Sequence, residues 1–401
     1  MYIHRDIEEI VQVAVRQFPT VIVTGPRQSG KTTLLKQLFA KDYRYVSMDN
    51  PDLRLMATQE SKLFFDNFPP PLIIDEIQYA TQLFPYIKIL VDEHRDKKGL
   101  FLLTGSQLFP LMANVGESLA GRIAVFTLLS LSFREQLSRS EELDIHQLRK
   151  QILSGGFPQL VVEKDTHLEL WFAGYLQTYL ERDIRQLRQV GDLNNFQRFL
   201  QLLAALNGQV LNLSNLSRDL GIAVNTVKAW ISILEASGQI LLVQPFYLNR
   251  GKRIIKSPKV YFLDTGLVCY LTGITSIEQI FKGPLSGQIF ETVVVGEVVR
   301  GFYNRGKIPR IFWWRTAHGE EVDFVIEDQG KITPLEVKLS SNINKNMAKG
   351  LLSFYELFSE KIDKAYLINL SGEQFNLGKH IVSVSFADWL KLGNRDAMFR
   401  K

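Results

Sequence analysis

The sequence predicts a multidomain α/β protein whose first unit is a largely parallel, helix-covered sheet, and three features point there. A β-branched run at residues 20–24 ends in a glycine-containing loop that opens an amphipathic helix. Further apolar strands follow at 44–47, 72–74, 100–103 and 123–129 with helical patterns between several of them, the alternation that buries a parallel sheet under helices. Beyond residue 135 the periodicity becomes helical, and a second α/β pattern begins near residue 283. At 401 residues the chain is longer than one core sustains, and with 46% hydrophobic residues it has the apolar surface for several. The expected units are a sheet core at 1–135, a helical lid or linker at 136–206, a helix-turn-helix with a strand pair at 207–275, and an α/β end at 280–401.

Composition narrows the function classes. The formal net charge of +5 is small for so long a chain, so a polyanionic partner has to be argued from local clusters. Cys269 is the only cysteine, which excludes a disulfide framework and a thiolate zinc site and points to a reducing compartment. The N-terminus is acidic within its first ten residues and lacks the basic start and apolar stretch of a secretory signal. The most apolar window, 124–133, is broken by Thr127, Ser130 and Ser132 and is too short to span a bilayer. A cytoplasmic protein without a membrane partner is expected.

Gly25, Pro26, Arg27, Gln28, Ser29, Gly30, Lys31 and Thr32 match GxxxxGK[ST], after a strand and before a helix. That is a Walker A loop, the mark of a P-loop NTPase. Its backbone N–H groups and the helix N-terminus suit a phosphate, Lys31 reaches the β and γ phosphates, Thr32 ligates Mg²⁺, and Thr33 completes the candidate ATP site. The run 72–76 supplies an apolar strand ending in two carboxylates, Asp75 for Mg²⁺ and Glu76 to polarise the attacking water. Thr104, Gly105 and Ser106 end the next strand, where a hydroxyl such as that of Ser106 can sense the γ phosphate. Arg122 is the candidate arginine finger, for its own site or a neighbour's in a homo-oligomer, with Arg27 as a rival and an ordinary surface arginine as the alternative. A metabolic kinase is a third possibility that Walker A alone leaves open, but no small-molecule acceptor site is evident.

Residues 213–221 followed by 224–236 read as helix, tight turn, helix, with Ser214 and Asn225 as N-caps. The second helix offers Asn225, Thr226 and Lys228 near its N-terminal end, where a recognition helix meets DNA. Strands at 240–243 and 259–263 then form a wing, with Arg250, Lys252, Arg253 and Lys256 between them. A winged helix of this kind either binds DNA or contacts protein.

Three strands at 310–315, 321–326 and 332–339 are joined by turns at His318-Gly319 and Gln329-Gly330. Glu336 and Lys338 share one strand face. With Asp323 on the preceding strand and Glu291 on a helix at 289–300, they resemble the PD-(D/E)XK nuclease constellation, in which carboxylates such as Asp323 and Glu336 hold Mg²⁺ and the lysine orients water. Glu297 is a rival helical carboxylate, and Val322 stands where the family's proline would be. Both a working nuclease and an inactive nuclease-like domain remain open.

Taken in order, GPRQSGKT, LIIDE, LLTGS, SLAGR, LSLSFREQ, GGFP, FETVVVGEVV and WRTAHGEEVDFVI…LEVK cover nearly the full length. The chain resembles prokaryotic AAA-like ATPases that carry a C-terminal nuclease-like domain. The resemblance implies an AAA-like P-loop core, a winged helix and a restriction-endonuclease-like end. The expected activity is Mg²⁺-dependent ATP hydrolysis associated with DNA, the alternative being a nucleotide switch for protein partners with an inert C-terminal domain.

Overall fold

The computed structural model describes residues 2–106, 116, 118–137, 145–180, 193–247, 257–340, 342–370, 374–378 and 380–392. The first sheet comprises β1 (Thr20–Thr24), β2 (Arg44–Ser47), β3 (Leu72–Asp75), β4 (Phe101–Gly105) and β5 (Ile123–Thr127). All its pairs are parallel, and the spatial order is β2-β3-β4-β1-β5. Alternation across the strands assigns the two faces. Val21, Val23, Ile73 and Leu102 pack on the helices Glu8–Gln17 and Lys31–Phe39. Ile22, Ile74 and Leu103 pack on Pro51–Gln59, Ser61–Asn67 and Leu83–Glu93. Burial on both faces is why these strands read as unbroken apolar runs. The C-terminal ends of β1, β3 and β4 lie side by side, at one edge of the sheet.

The rest of the chain joins a second sheet of eight strands. These are β6 (Ile240–Pro245), β7 (Lys259–Phe262), β8 (Ile311–Arg315), β9 (Glu321–Asp328), β10 (Lys331–Val337), β11 (Ala365–Asn369), β12 (Phe375–Asn376) and β13 (Ile381–Ser385), in the order β12-β13-β11-β10-β9-β8-β6-β7. Strands β6 and β7 form the antiparallel hairpin expected from the sequence. Gln244 and Pro245 of β6 also pair in parallel with Phe312 and Trp313 of β8, so the hairpin is the edge of the C-terminal sheet rather than a free wing. Arg250, Lys252, Arg253 and Lys256 lie outside the described residues.

The expected helix pair is present as Leu213–Leu220 and Val224–Ala236, but its caps differ from the sequence reading. Asn212, not Ser214, accepts the Asn215 N–H, and Ala223, not Asn225, precedes the second helix. Leu216, Leu220, Val227 and Trp230 must face the core, and that fixes the helical register from which the caps follow.

One helix, Ser286–Tyr303, runs through the middle of this half. Ile289, Phe290, Val293, Val294, Val295, Val298, Val299 and Phe302 are all buried, so apolar residues surround it on every side. One continuous core contains this helix together with Phe157 and Phe172 of the linker, Phe196, Trp230, and Phe324, Leu335 and Ile368 of the sheet.

Candidate functional site

The phosphate loop stands at the C-terminal edge of the first sheet. Gly25 has φ 135°, and a Cβ there would come within 2.1 Å of the Leu128 carbonyl oxygen, so only glycine fits. Gln28 at φ 59° and Gly30 at φ 94° complete the turn into Lys31–Phe39. Pro26 and Ser29 are buried, Gln28 is exposed, and Thr33 is exposed one residue beyond Thr32. Lys31 is buried, and its Nζ donates to the carbonyl oxygens of Gly25 at 3.1 Å and Pro26 at 2.8 Å.

Asp75 ends β3 opposite the loop. Its Oδ1 accepts from Thr32 Oγ1 at 2.5 Å and Thr104 Oγ1 at 2.6 Å, and its Oδ2 accepts from Tyr45 O–H at 2.9 Å. Glu76 is held in the left-handed region at φ 56°, with its N–H on Thr104 Oγ1 at 3.0 Å. Its Oε2 accepts from Gln78 Nε2 and from Ser106 Oγ at 3.3 Å. The structure thus brings together Lys31, Thr32, Asp75, Glu76 and Ser106. Thr104, Tyr45 and Gln78 are additions that the sequence reading did not assign to the carboxylates. A hydroxyl and a carboxylate in contact at a helix N-terminus are the donor set Mg²⁺ takes when phosphates supply further oxygens, so the residues fit MgATP.

Arg122 is not brought to this site. It precedes β5, and its carbonyl accepts from the N–H of Thr20, the first residue of β1. The phosphate loop begins at the other end of β1, about 16 Å away by strand rise. The Arg122 guanidinium instead holds Asp92, with Nε to Oδ1 at 2.8 Å and Nη2 to Oδ2 at 3.1 Å. An arginine finger acting within one chain is therefore corrected for Arg122, because a parallel sheet sets the two ends of its strands apart. Arg27 is at the loop, where its Nη2 donates to Tyr79 O–H at 2.9 Å, and Arg54 stacks over the same ring.

Beyond β5 the chain forms a strap, 129–135, whose polar groups are claimed in succession by distant elements. Arg5 donates to Leu129 O at 2.8 Å, to Glu135 at 3.0 Å and to Ser29 O of the phosphate loop at 2.9 Å. Arg300 donates to Ser130 O at 2.9 Å, and Asp264 accepts from Ser130 Oγ at 3.0 Å and from Gly156 N–H at 2.9 Å. Glu297 accepts from the Phe133 N–H at 2.8 Å. Burial would raise the Glu135 carboxyl, but the Arg5 guanidinium and the N–H groups of Ser132 and Asp6 outweigh it and hold Glu135 below its ordinary value. At Glu297 burial wins over Arg300 and pushes the carboxyl up to about 7.

The second cluster gathers Glu291, Asp323, Glu336 and Lys338, as the sequence suggested, and excludes the rival Glu297. Lys338 Nζ lies 2.6 Å from Glu336 Oε1, Asp323 accepts from Val337 N–H at 2.8 Å, and Tyr261 O–H donates to Glu291 at 2.6 Å. Lys259, from β7, pairs with Glu321 and is held charged by Glu291 and Asp323 against the penalty of burial. Burial, with mutual repulsion from Asp323, raises both Glu291 and Glu336, and burial likewise raises Asp323. Tyr261 and Lys259 were missed because their strand reads as a wing; only its pairing into the second sheet turns them toward the carboxylates. Among the described residues no group of three or more His, Cys, Asp or Glu side chains is set to hold a metal ion. Of the two carboxylates expected to hold Mg²⁺, Asp323 accepts from a backbone N–H and Glu336 pairs with Lys338 through Oε1, while Glu336 Oε2 is buried with no hydrogen-bond partner among the described residues.

Comparison with known proteins is consistent with the first site. Residues 17–137 match the model of an AAA domain, while 145–278 and 286–389 match two domains of unknown function, DUF8612 and DUF4143. An uncharacterized protein of Mycobacterium tuberculosis is 28% identical over 400 residues, covering 98% of this chain and 86% of its own. One of Haemophilus influenzae is 23% identical over 376 residues, covering 86% and 88%. Among solved structures, a Walker-type ATPase of Pyrococcus abyssi aligns at TM-score 0.45 and 13% identity, over 67% of this chain and 96% of that one. A single-residue variant of RuvB from Thermotoga maritima aligns at TM-score 0.31 and 15% identity, over 59% and 89%. Residues 17–137, which hold the parallel sheet core, are thus similar to an AAA domain. No described helix is long and apolar enough to cross a membrane.

Proposed function

We propose that the chain binds ATP with Mg²⁺, hydrolyses it, and passes its nucleotide state to the helix-turn-helix and the C-terminal sheet. The observation that carries this reading is the contact of Thr32 with Asp75 at 2.5 Å, at the mouth of the loop and beside Glu76. Loop amides bind the phosphates, and Lys31 neutralises their charge. Thr32 and Asp75 would hold Mg²⁺, which supplies charge neutralisation on the transferred phosphoryl group when bound. Glu76 orients the attacking water, and Ser106 and Gln78 orient Glu76. Lys31→Ala is expected to weaken nucleotide binding, and Glu76→Gln to keep binding while lowering turnover about 100-fold or more. Steady-state turnover and ATP titration check both, and a Glu76→Gln chain that hydrolyses at the parent rate removes Glu76 from the mechanism.

The helix pair is read as a helix-turn-helix that associates with DNA, its hairpin being built into the C-terminal sheet. Asn225 and Lys228 are exposed on the first turns of the second helix, where base edges or phosphates are met. Binding to duplex, single-stranded and branched DNA at low salt, weakening steeply as salt rises, supports this reading; no binding with or without MgATP defeats it.

A second reading concerns the C-terminal cluster, and the additional amine that Lys259 brings to it from outside the constellation favours it. The cluster is an inert relative of the PD-(D/E)XK constellation, serving the fold and partner contact. The parent should leave plasmid DNA intact in Mg²⁺ or Mn²⁺. Cleavage by the parent that is lost in both Asp323→Ala and Lys338→Ala restores the nuclease.

A further inference from the structure

No motif includes Arg5, which precedes the first helix by three residues and the phosphate loop by twenty. Its guanidinium is nevertheless buried, and its three nitrogens serve three separate acceptors: Ser29 O, Leu129 O and Glu135. Glu135 compensates its charge, so Arg5 acts on the loop by geometry rather than by attraction to phosphate. A trans peptide points its C=O and the following N–H in opposite directions. The bond from Arg5 Nη1 to Ser29 O therefore turns the Gly30 N–H to the far side of that peptide plane.

We propose that Arg5 is a positioning residue for the phosphate loop, locking the Ser29-Gly30 peptide so that the Gly30 amide is presented to the nucleotide phosphates. This rests on the ATPase reading above. Glycine at position 30, with φ 94°, leaves that peptide free to rotate unless something outside the loop holds it. Arg5 is that hold, and because it also grips Leu129 it refers the loop to the start of the strap. A lysine at position 5 would keep the charge beside Glu135 but could not span all three acceptors with the planar fork of a guanidinium.

The test compares the full-length parent, Lys31→Ala, Arg5→Lys and Arg5→Gln. Melting temperature, affinity for a fluorescent ATP analogue, and KM and kcat for ATP are measured at a temperature where far-UV circular dichroism shows each chain folded. The expected result is that both Arg5 variants raise KM by about tenfold or more while kcat changes much less, with Arg5→Lys affected less than Arg5→Gln. Unchanged KM in an active, folded Arg5→Gln chain overturns the proposal and leaves the ATPase reading standing. A parent without turnover or nucleotide affinity overturns both. If neither variant folds, Arg5 is a pillar of the fold and the positioning role is overturned.

Discussion

Gly25 and Gly121 both have positive φ, at 135° and 72°, yet they predict different costs for alanine. At Gly121 an added Cβ meets nothing within 4 Å, so only backbone strain of about 1 kcal/mol is expected. At Gly25 the Cβ would also strike Leu128 O, and Gly25→Ala should cost about 2 kcal/mol or more and abolish ATP binding. Urea unfolding of the two variants checks this, and equal losses would mean that the loop is looser than its contacts imply. Walker A was legible because its chemistry is local, fixed by eight consecutive residues. Tyr45 was not, since its hydroxyl reaches Asp75 only because β2 lies beside β3, with Tyr45 and Ile73 in register. Arg122 shows the reverse for a finger within one chain: its residue type suits the role, but the strand it precedes delivers it to the edge away from its own loop.

Helix ends carry two further predictions. Asn212 and Ser214 are both good cap formers two residues apart, and sequence alone could not separate them; the buried positions of Leu216 and Leu220 do. Asn212→Ala should cost about 1 kcal/mol and Ser214→Ala much less, as measured by chemical denaturation; the opposite order would restore the sequence reading. Glu297 binds the backbone N–H groups of Phe133 and Arg134, where the helix Phe133–Leu137 begins. Burial pushes its carboxyl up from 4.5 to about 7, so between these values the folded chain keeps a proton that the unfolded chain releases. The resulting stability is complete below the unfolded value and is lost as pH rises through about 7. Glu297→Gln does not titrate, yet its side-chain carbonyl can still accept from Phe133. Its unfolding free energy relative to the parent should therefore rise by about 2 kcal/mol between pH 5 and pH 8. A pH-independent difference would show that Glu297 ionises at its ordinary value.

At the scale of the molecule, element types and their order were legible from periodicity, whereas the way the later units merge was not, because it depends on non-local pairing. The boundary drawn between 275 and 280 separates β6 and β7 from the strands they extend, and separates Lys259 and Tyr261 from the carboxylates they face. The helix Ser286–Tyr303 is wrapped on one side by the second sheet and on another by the strap, through Arg300 on Ser130 and Glu297 on Phe133. Its all-round apolar surface cannot be buried by 280–401 alone. Removing 1–279 would uncover the helix where it packs on the helix Thr265–Leu271 and on β7, and leave Glu291, Asp323 and Glu336 with Lys338 as their compensating amine from the cluster. Unpaired buried carboxyls and an uncovered helix are both costs of several kcal/mol, comparable to the whole stability of a domain that size. The fragment 280–401 is therefore expected to lack a cooperative thermal transition by near-UV circular dichroism, although the full chain melts cooperatively. A sharp transition in the fragment would mean that the second sheet closes without β6 and β7. The strap and the hairpin would then be attachments to a self-sufficient domain, and a nucleotide signal leaving the phosphate loop through Arg5 would meet a mobile joint rather than one continuous core.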